Sequence, residues 1–381
     1  MPRYCQKCIL PDTRPGVKLD QEGVCRGCRN VRGKAQIDWD IRAEEFRALV
    51  RYSRNRSNGY DCVIPVSGGK DSYWQVLTCL EHGLHPLCVT YAVPGRNAIG
   101  EQNLRRLIEI GVDHIDFRPN PRVEARFVAR AFRERGISGL VTHMAIFALP
   151  VRFAAAFRVP LVVFGENSAF EYGAEDNALN GAEMDHRWLK SFGVTDGTTA
   201  ADWVSGDLSA EDLTPYALPN ERELADAGIR IVFLGHYFPW DPDHSRRVAE
   251  EHGFAVRDQG PLVGHYDYAN IDDDLLSIHQ HAKWYKFGIT RSWDTLSMEI
   301  RNGRLERAAA IEKLRQRGDE TPWEAIVAFC DYVSISEVEY FQTLERFRNL
   351  DIWSRRDDRW VIEDFLIPDF PWPEDPPILR R

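Results

Sequence analysis

Residues 61–72 carry the side chains of a phosphate-binding turn. An apolar run at 62–66 leads into Ser67-Gly68-Gly69-Lys70-Asp71-Ser72, and a helical pattern of apolar residues follows. Glycines let the backbone bend tightly and present its N–H groups to an anion, while the next helix adds its positive N-terminal end. Lysine charge and serine hydroxyls strengthen such a site. The order strand, turn, helix predicts phosphate binding, although the spacing is not that of a Walker A loop.

Four cysteines near the N-terminus have the spacing of a metal site. They form two Cys-x2-Cys pairs separated by sixteen residues: Cys5, Cys8, Cys25 and Cys28. Two such pairs close a tetrahedral zinc site, and four thiolates leave no open position, which predicts structural rather than catalytic Zn²⁺. A thiol redox pair or an empty site is the alternative. The other cysteines are expected to be buried packing residues.

The central part of the chain alternates apolar runs with helical patterns. Strands are predicted at 61–66, 85–91, 113–117, 159–164 and 229–234, with helices between them. This alternation predicts an α/β fold with a doubly wound parallel sheet. Because ligands bind at the carboxyl ends of such strands, four stretches become candidate site segments: 67–72, 90–95, 165–167 and 235–237.

Gly165, Glu166 and Asn167 directly follow a predicted buried strand. A charged glutamate at that point is exposed at the strand end or satisfied by a partner. Glu166 and Asn167 are predicted to face a nucleotide or an acceptor, and helix capping is the alternative. His236, after the last strand, is either an acid–base group or part of the pocket wall.

Four regions are predicted along the chain. They are a cysteine module at 1–35, a linker helix at 36–57, the α/β region at 58–255 and a helical region at 256–381 that ends in a proline-rich extended tail. A long irregular insertion at 168–228 is expected to form a substrate-side lid or an interaction surface. Within it, His186, Trp188 and Lys190 are candidate substrate contacts.

The helical region contains basic residues around a glycine break. Lys286 and Arg291 flank Gly288 and are predicted to reach back to the phosphate bound at the 67–72 turn and to stabilise its charge, with a basic helix surface as the alternative. Asp272, Asp273 and Asp274 are expected to begin a helix at 271–287. Acidic residues favour that end of the helix dipole, so a cap is preferred to a magnesium site.

Composition narrows the classes of partner. The net charge is −10 without a polybasic tail, which counts against nucleic acid. No apolar run approaches the roughly 20 residues of a membrane span. The first residues, MPRYCQKC, lack the apolar core of a signal peptide, so a cytoplasmic location is expected.

Five motifs together resemble one protein family. The motif SGGKDS is similar to the pyrophosphate loop (PP-loop) of the ATP-pyrophosphatase superfamily. The order and spacing of the whole set resemble the N-acetyl sugar amidotransferases of bacterial surface-polysaccharide (O-antigen) biosynthesis. The set comprises YCQKCILPDTRPG with EGVCRGC, DCVIPVSGGKDS at 61–72, FGEN at 164–167, LGHYFPWD at 234–241, and KFGITR with EIRNGRLERAAAI within 286–311.

The resemblance implies an adenine nucleotide alpha hydrolase-like fold that uses ATP and Mg²⁺. Residues 67–72 would hold the β,γ-pyrophosphate, and Asp71 would help to place Mg²⁺. Lys70, Lys286 and Arg291 would neutralise developing charge. The backbone of a three-residue stretch would hold adenine: Val89, Thr90 and Tyr91.

The resemblance also implies a reaction. ATP would adenylate the acetamido oxygen of a nucleotide-linked N-acetyl sugar, and ammonia would then displace AMP to give an acetamidino sugar. Ammonia is expected from a separate glutaminase and a barrel-shaped partner, since the sequence contains no internal glutaminase. Residues 142–145 lack a cysteine found in many relatives, and residues 290–294 lack a usual Thr/Asp-rich continuation. Both departures leave undecided which sugar is the acceptor and which nucleophile displaces AMP.

Two other functions fit parts of the sequence. A tRNA-thiolating PP-loop ATPase would need paired catalytic cysteines or a persulfide carrier, and Cys62, Cys79 and Cys88 form no clear pair. A non-catalytic nucleotide-binding scaffold is disfavoured by the intact SGGKDS motif. Release of pyrophosphate separates the enzymes from the scaffold.

Overall fold

A five-stranded parallel sheet forms the centre of the protein. The computed structural model describes residues 1–173, 177–192, 195–318, 320–357 and 359–376. The sheet order is β3-β2-β1-β4-β5. Its strands are β1 (Cys62–Pro65), β2 (Pro86–Tyr91), β3 (Asp113–Phe117), β4 (Leu161–Phe164) and β5 (Arg230–Phe233). The predicted doubly wound parallel sheet is confirmed.

The strand order creates a crevice beside β1. The chain moves outward from β1 through β2 to β3, then returns to the other side of β1 with β4, where Val63 and Val162 are in register. The loops leaving β1 and β4 therefore diverge, and the switch point of the sheet lies between them. The 67–72 turn and Gly165 follow these two strands.

Helices cover both faces of the sheet. Residues of β1, β2 and β4 are almost all buried, as expected for parallel strands packed on both sides. The helices from β1 onward are α3 (Lys70–Glu81), α4 (Ala98–Ile108), α5 (Pro121–Arg135), α6 (Leu140–Phe157), α7 (Ser168–Tyr172), α8 (His186–Phe192), α9 (Glu221–Asp226), α10 (Leu234–Tyr237) and α11 (Pro242–Glu251).

Helix α6 is long and apolar enough to cross a membrane by length and composition. It has 18 residues, contains Pro150, and is half buried within the protein. It packs against β1 and β2 as the central helix of the α/β layer.

The cysteine module contains a helix that its turn-rich sequence did not predict. Helix α1 (Arg26–Lys34) follows Cys25, and α2 (Trp39–Arg54) corresponds to the predicted linker helix. Asp38 caps α2 by accepting the N–H groups of Asp40 and Ile41.

The C-terminal region is mainly helical, with two differences from prediction. Helix α12 begins at Leu276 rather than with the aspartates, and a β-hairpin precedes the proline-rich tail. The elements are α12 (Leu276–Phe287), α13 (Arg291–Arg301), α14 (Arg307–Arg317), α15 (Trp323–Val333), α16 (Glu337–Arg346), β6 (Trp353–Arg356) and β7 (Arg359–Ile362). Part of the tail, residues 377–381, lies outside the described residues.

One buried cluster joins the predicted regions. Ile9 of the cysteine module, Phe127 of α5 and Phe329 of α15 belong to the same hydrophobic core. The four-part division of the chain itself stays a prediction.

Candidate functional site

The turn after β1 is shaped by close backbone packing. Gly68 has φ +84°, and a Cβ there would lie 2.6 Å from the backbone nitrogen of Leu104. The N–H of Ser67 donates to Ser72 Oγ at 3.0 Å, and the N–H of Gly69 donates to Ser67 Oγ at 3.3 Å. These bonds hold the turn at the N-terminus of α3, where backbone N–H groups and the helix dipole favour an anion.

Lys70 and Asp71 form an ion pair at this helix end. Lys70 is 8% exposed and lies over the ring of Trp240 at 5.5 Å. The indole N–H of Trp240 donates to Asp71 Oδ1 at 2.9 Å. The indole thus holds the carboxylate from one side, and about a third of the Asp71 side-chain surface stays exposed.

The end of β4 packs directly against the turn. With its amide oriented to satisfy both neighbours, Gln75 donates to the Asp71 carbonyl and accepts the N–H of Gly165. The carbonyl of Gly165 accepts the N–H of Gly235 at 3.0 Å. The ends of β1, β4 and β5 therefore meet, as the strand rule predicts.

Glu166 lies in this meeting point close to Asp71. Burial, and then the negative charge of Asp71, raise the pKa of Glu166 to about 7. The positive charge of Lys70 acts in the opposite direction. A carboxyl that titrates near neutrality beside a second carboxylate is typical of functional sites.

Arg291 reaches the same place from α13. Its side chain hydrogen-bonds to Tyr172 and lies near Glu166. It also lies 3.9 Å from Asp294 Oδ2. Of the two basic residues predicted from the glycine break, Arg291 is thus brought beside the residues of the turn.

Lys286 is placed elsewhere. Its ammonium donates to the carbonyl of Arg135 at 2.9 Å, and it lines a separate cavity with Lys283. Its predicted contact with departing pyrophosphate stays a prediction.

Asn167 is fully hydrogen-bonded within the protein. Its oxygen accepts the N–H of Ala169 and the indole N–H of Trp188, while its NH2 group donates to two carbonyls of the insertion, Leu179 and Gly181. It caps α7, which is the alternative role considered for it, and its contact with substrate stays a prediction.

The predicted adenine-binding stretch is a buried part of the sheet. Val89, Thr90 and Tyr91 lie at the carboxyl end of β2. The carbonyl of Val89 accepts the N–H of Val66, and Thr90 Oγ1 donates to the carbonyl of Val66 at 2.7 Å. Binding of adenine there stays a prediction.

The four N-terminal cysteines converge on one point. Their sulfurs all lie within 4.8 Å of one another, with Cys5 and Cys28 at 3.9 Å and Cys8 and Cys25 at 3.7 Å. Four ligands at about 2.3 Å from a tetrahedral ion lie about 3.8 Å apart, so the spacing fits a bound Zn²⁺.

A buried arginine from α13 contacts this cluster. The guanidinium of Arg301 lies 3.5 Å from Cys25 Sγ and 3.8 Å from Cys8 Sγ. It packs so closely on Gly27 that a Cβ there would lie 2.6 Å from the guanidinium carbon. The cation offsets the negative charge of the thiolates and joins the module to the helix that carries Arg291.

Six residues of the insertion line one cavity: Lys190, Ser191, Phe192, Thr195, Asp196 and Gly197. Lys190 lines the cavity that contains Lys283. Trp188 is buried against Phe147 and Phe233, and His186 hydrogen-bonds to the carbonyl of Pro219. Among the three candidate contacts, only Lys190 faces an open space.

His236 faces α2 rather than the turn. It contacts Arg42, and burial together with the charge of that arginine lowers the pKa of His236 to about 4. Its partners therefore lie on α2, and its two predicted roles, an acid–base group or part of the pocket wall, stay predictions.

Several contacts at the site were not predicted from the sequence. Asp272 hydrogen-bonds to the side chain of Ser67, and Trp240 holds Asp71. Arg14 binds Asp294 at 2.6 Å across 280 residues of sequence. Asp273 accepts the N–H of Leu275 in the turn before α12, whereas the N-cap residue of that helix is Leu275 and makes no side-chain cap, so the predicted cap by the aspartates is not found.

Comparison with known proteins relates the C-terminal region to a polysaccharide family. Residues 263–366 match the family described as LPS biosynthesis protein WbpG-like, C-terminal domain. This confirms the predicted relation to surface-polysaccharide biosynthesis over those residues. A search of curated proteins found no match.

Among solved structures, one similar chain is the NMN synthetase from Francisella tularensis. The alignment has 15% identity and a TM-score of 0.33, and it covers 74% of this chain and 92% of that one. The fold is assigned from the strand order of this protein's own sheet.

Proposed function

We propose that this chain, which carries a C-terminal domain of the WbpG-like LPS biosynthesis proteins, is an ATP-dependent amidotransferase. It converts the acetamido group of a nucleotide-linked N-acetyl sugar to an acetamidino group. The observation that carries the proposal is the convergence of the turn, Glu166 and Arg291 at the switch point of a parallel sheet. The match at residues 263–366 supports polysaccharide biosynthesis as the setting.

The reaction follows from the weakness of an amide oxygen as a leaving group. The acetamido oxygen attacks the α-phosphorus of ATP, the bond to the β-phosphate breaks, and pyrophosphate leaves. Ammonia then adds to the activated carbon and loses protons, and the C–O bond to AMP breaks. Backbone N–H groups of the turn, Lys70 and Arg291 stabilise the negative charge that develops on the phosphates.

Two carboxylates suit a magnesium ion. Asp71 and Glu166 are oxygen ligands whose mutual repulsion a divalent cation relieves. These residues would hold Mg²⁺, and the ion would screen the charge of the β- and γ-phosphates. The four-cysteine cluster would hold a structural Zn²⁺, because all of its positions are thiolates.

Ammonia would come from a separate glutaminase and its barrel-shaped partner. All eight cysteines of this chain are buried, so none offers the accessible nucleophile of a glutaminase. The same burial weighs against tRNA thiolation. Cys62 and Cys88 lie in the sheet core, where burial raises the pKa of both thiols well above the ordinary value.

The test is incubation of the purified chain with ATP, Mg²⁺, ammonium chloride and a panel of nucleotide-linked N-acetyl sugars. We expect AMP and pyrophosphate only when both sugar and ammonia are present, and a product in which NH replaces one oxygen. AMP formation that requires tRNA, incorporation of sulfur, or no AMP with any acceptor would refute the proposal.

A further inference from the structure

A cavity of about 400 Å³ lies beside the candidate site. Its walls come from α12, the N-terminal segment around Arg14 and the insertion near Lys190. The volume falls within the roughly 300–1,000 Å³ range of small-molecule pockets. The turn after β1 does not line this cavity.

Positive charge dominates the walls of the cavity. The lining includes four cationic side chains, Arg14, Lys190, Lys283 and Lys286. Within the described part of the chain, its only carboxylate is Asp196, which pairs with Arg135 at 3.2 Å. An anionic ligand would supply the missing negative charge.

A single buried carboxylate behind the wall faces three cations. Asp294 is 1% exposed, and it lies 2.6 Å from Arg14, 3.4 Å from Lys283 and 3.9 Å from Arg291. Although burial opposes its ionisation, these cations hold the pKa of Asp294 well below the ordinary value. Of these three cations, Arg14 and Lys283 line the cavity, and a single carboxylate cannot neutralise both, so the wall remains positive.

Two buried polar atoms at the cavity have no hydrogen-bond partner among the described residues. They are His279 Nδ1 and Thr195 Oγ1, on side chains that are 9% and 6% exposed. Both residues line the cavity. Burial lowers the pKa of His279 well below its ordinary value, so the ring is neutral and offers a donor without adding charge. Unpaired buried polar groups of this kind call for a ligand.

We infer that this cavity binds the diphosphate of the nucleotide-linked sugar, an inference that rests on the proposed function. The diphosphate of a nucleotide-linked sugar brings two negative charges and several acceptor oxygens, which matches the lysines, His279 and Thr195. A single sugar carboxylate would leave most of the positive charge unpaired. Arg291 lies 3.9 Å from Asp294 and near Glu166, so its side chain links the cavity wall to the residues of the turn, and we place the acetamido group of the sugar on that side of the cavity.

The test measures binding of uridine diphosphate (UDP) to the full chain by calorimetry, with ATP affinity measured on the same samples. Lys190→Met and Lys283→Met should each weaken UDP binding roughly tenfold or more, because each removes a charge-assisted hydrogen bond. Lys190 is exposed, so its replacement leaves the fold intact. Lys313→Met, an exposed lysine on α14, is the matched control and should bind UDP as the wild type does.

The outcomes separate this inference from the proposed function. Unchanged UDP affinity in both variants, or equal loss of UDP and ATP affinity, would overturn the cavity assignment even if acceptor-dependent AMP formation is seen. The cavity assignment would also be overturned if an N-acetyl hexuronate without phosphate bound in a Lys190- and Lys283-dependent way and UDP did not. UDP binding that depends on Lys283 without any AMP formation would support the cavity and count against the amidotransferase.

Discussion

At the scale of single residues, Asp71 is held in place by two different contacts. Lys70 pairs with its charge, whereas Trp240 needs only an oxygen acceptor. Substituting asparagine therefore keeps the indole hydrogen bond and removes the charge. One variant therefore separates the effect of the Asp71 charge from that of the hydrogen bond with Trp240.

Asp71→Asn should lower the rate of AMP formation by about 10²- to 10³-fold, because an electrostatic contact to the reacting phosphates and metal is lost. The melting temperature should change little. The measurement is AMP release with thermal unfolding in parallel. Asp226→Asn, at an exposed site on α9, is the control, and wild-type turnover of Asp71→Asn would contradict its role.

Glu166 gives a prediction about pH. Burial and Asp71 raise its pKa from 4.5 to about 7, so the folded state favours the protonated form. The resulting stability is present below pH 4.5 and is lost as pH rises through about 7. Glu166→Gln should therefore make the ligand-free protein about 3 kcal/mol more stable than the wild type at pH 8, and no more stable at pH 4.5.

Denaturant unfolding at the two pH values measures this difference. Glu221→Gln, at an exposed position of α9, should show no such pH dependence. A Glu166→Gln variant that is equally destabilised at both pH values would contradict the raised pKa.

At the scale of elements, the turn after β1 depends on the absence of a side chain at Gly68. Gly68→Ala forces alanine into φ +84° and places its Cβ against the backbone of α4. We expect a loss of more than about 2 kcal/mol of stability and of measurable ATP binding, since left-handed backbone alone costs about 1–2 kcal/mol.

Gly206→Ala is the matched control for backbone strain. Gly206 also has positive φ, +61°, but open space surrounds its Cβ position. Its substitution should cost only the backbone term and leave ATP binding intact. Equal effects of the two substitutions would show that the contact with Leu104 is unimportant.

Elements were predictable where burial produced a simple pattern. Four of the strands are mainly apolar runs, such as Leu161–Phe164, whereas the edge strand β3 has the mixed sequence DHIDF. All five strands and their parallel arrangement follow from the alternation of strand and helix patterns along the sequence. The hairpin formed by β6 and β7 is short and rich in arginine, which hides its alternation. Helix α1 was missed because its sequence, RGCRNVRGK, contains two glycines and little apolar periodicity.

Only the part of the site that is local in sequence, or that follows from the strand order, could be predicted. Residues within the turn are adjacent in sequence, and the strand rule adds Glu166. The contacts of Lys286 with Arg135 and of Arg14 with Asp294 join residues 151 and 280 positions apart. No local pattern encodes such pairs, so the positive cavity had no sequence signal.

At the scale of the whole molecule, the cysteine module and the C-terminal helices share one interface. Arg301 contacts the sulfurs, and Thr13 Oγ1 donates to the carbonyl of Phe287 at 2.7 Å. Lys34 pairs with buried Glu171 at 2.6 Å. The metal site thus supports the segment that places Arg14 at the cavity.

Cys5→Ser should abolish stoichiometric zinc and lower the melting temperature by more than about 5 °C, because metal binding supplies folding free energy to the module. Metal analysis and thermal unfolding measure both effects. Cys330→Ser, a buried thiol of α15 outside the cluster, should retain zinc. Full zinc content in Cys5→Ser would refute the four-thiolate site.

The contact of Arg301 with Cys8 also has a consequence for the order of folding. These residues are 293 positions apart, so the contact can form only after α13 has been synthesised. Until then the cysteine cluster lacks the cation that lies beside it in the folded protein. Contacts of such long range slow folding, and the cavity, which brings Arg14 beside α12, is built from contacts of the same kind.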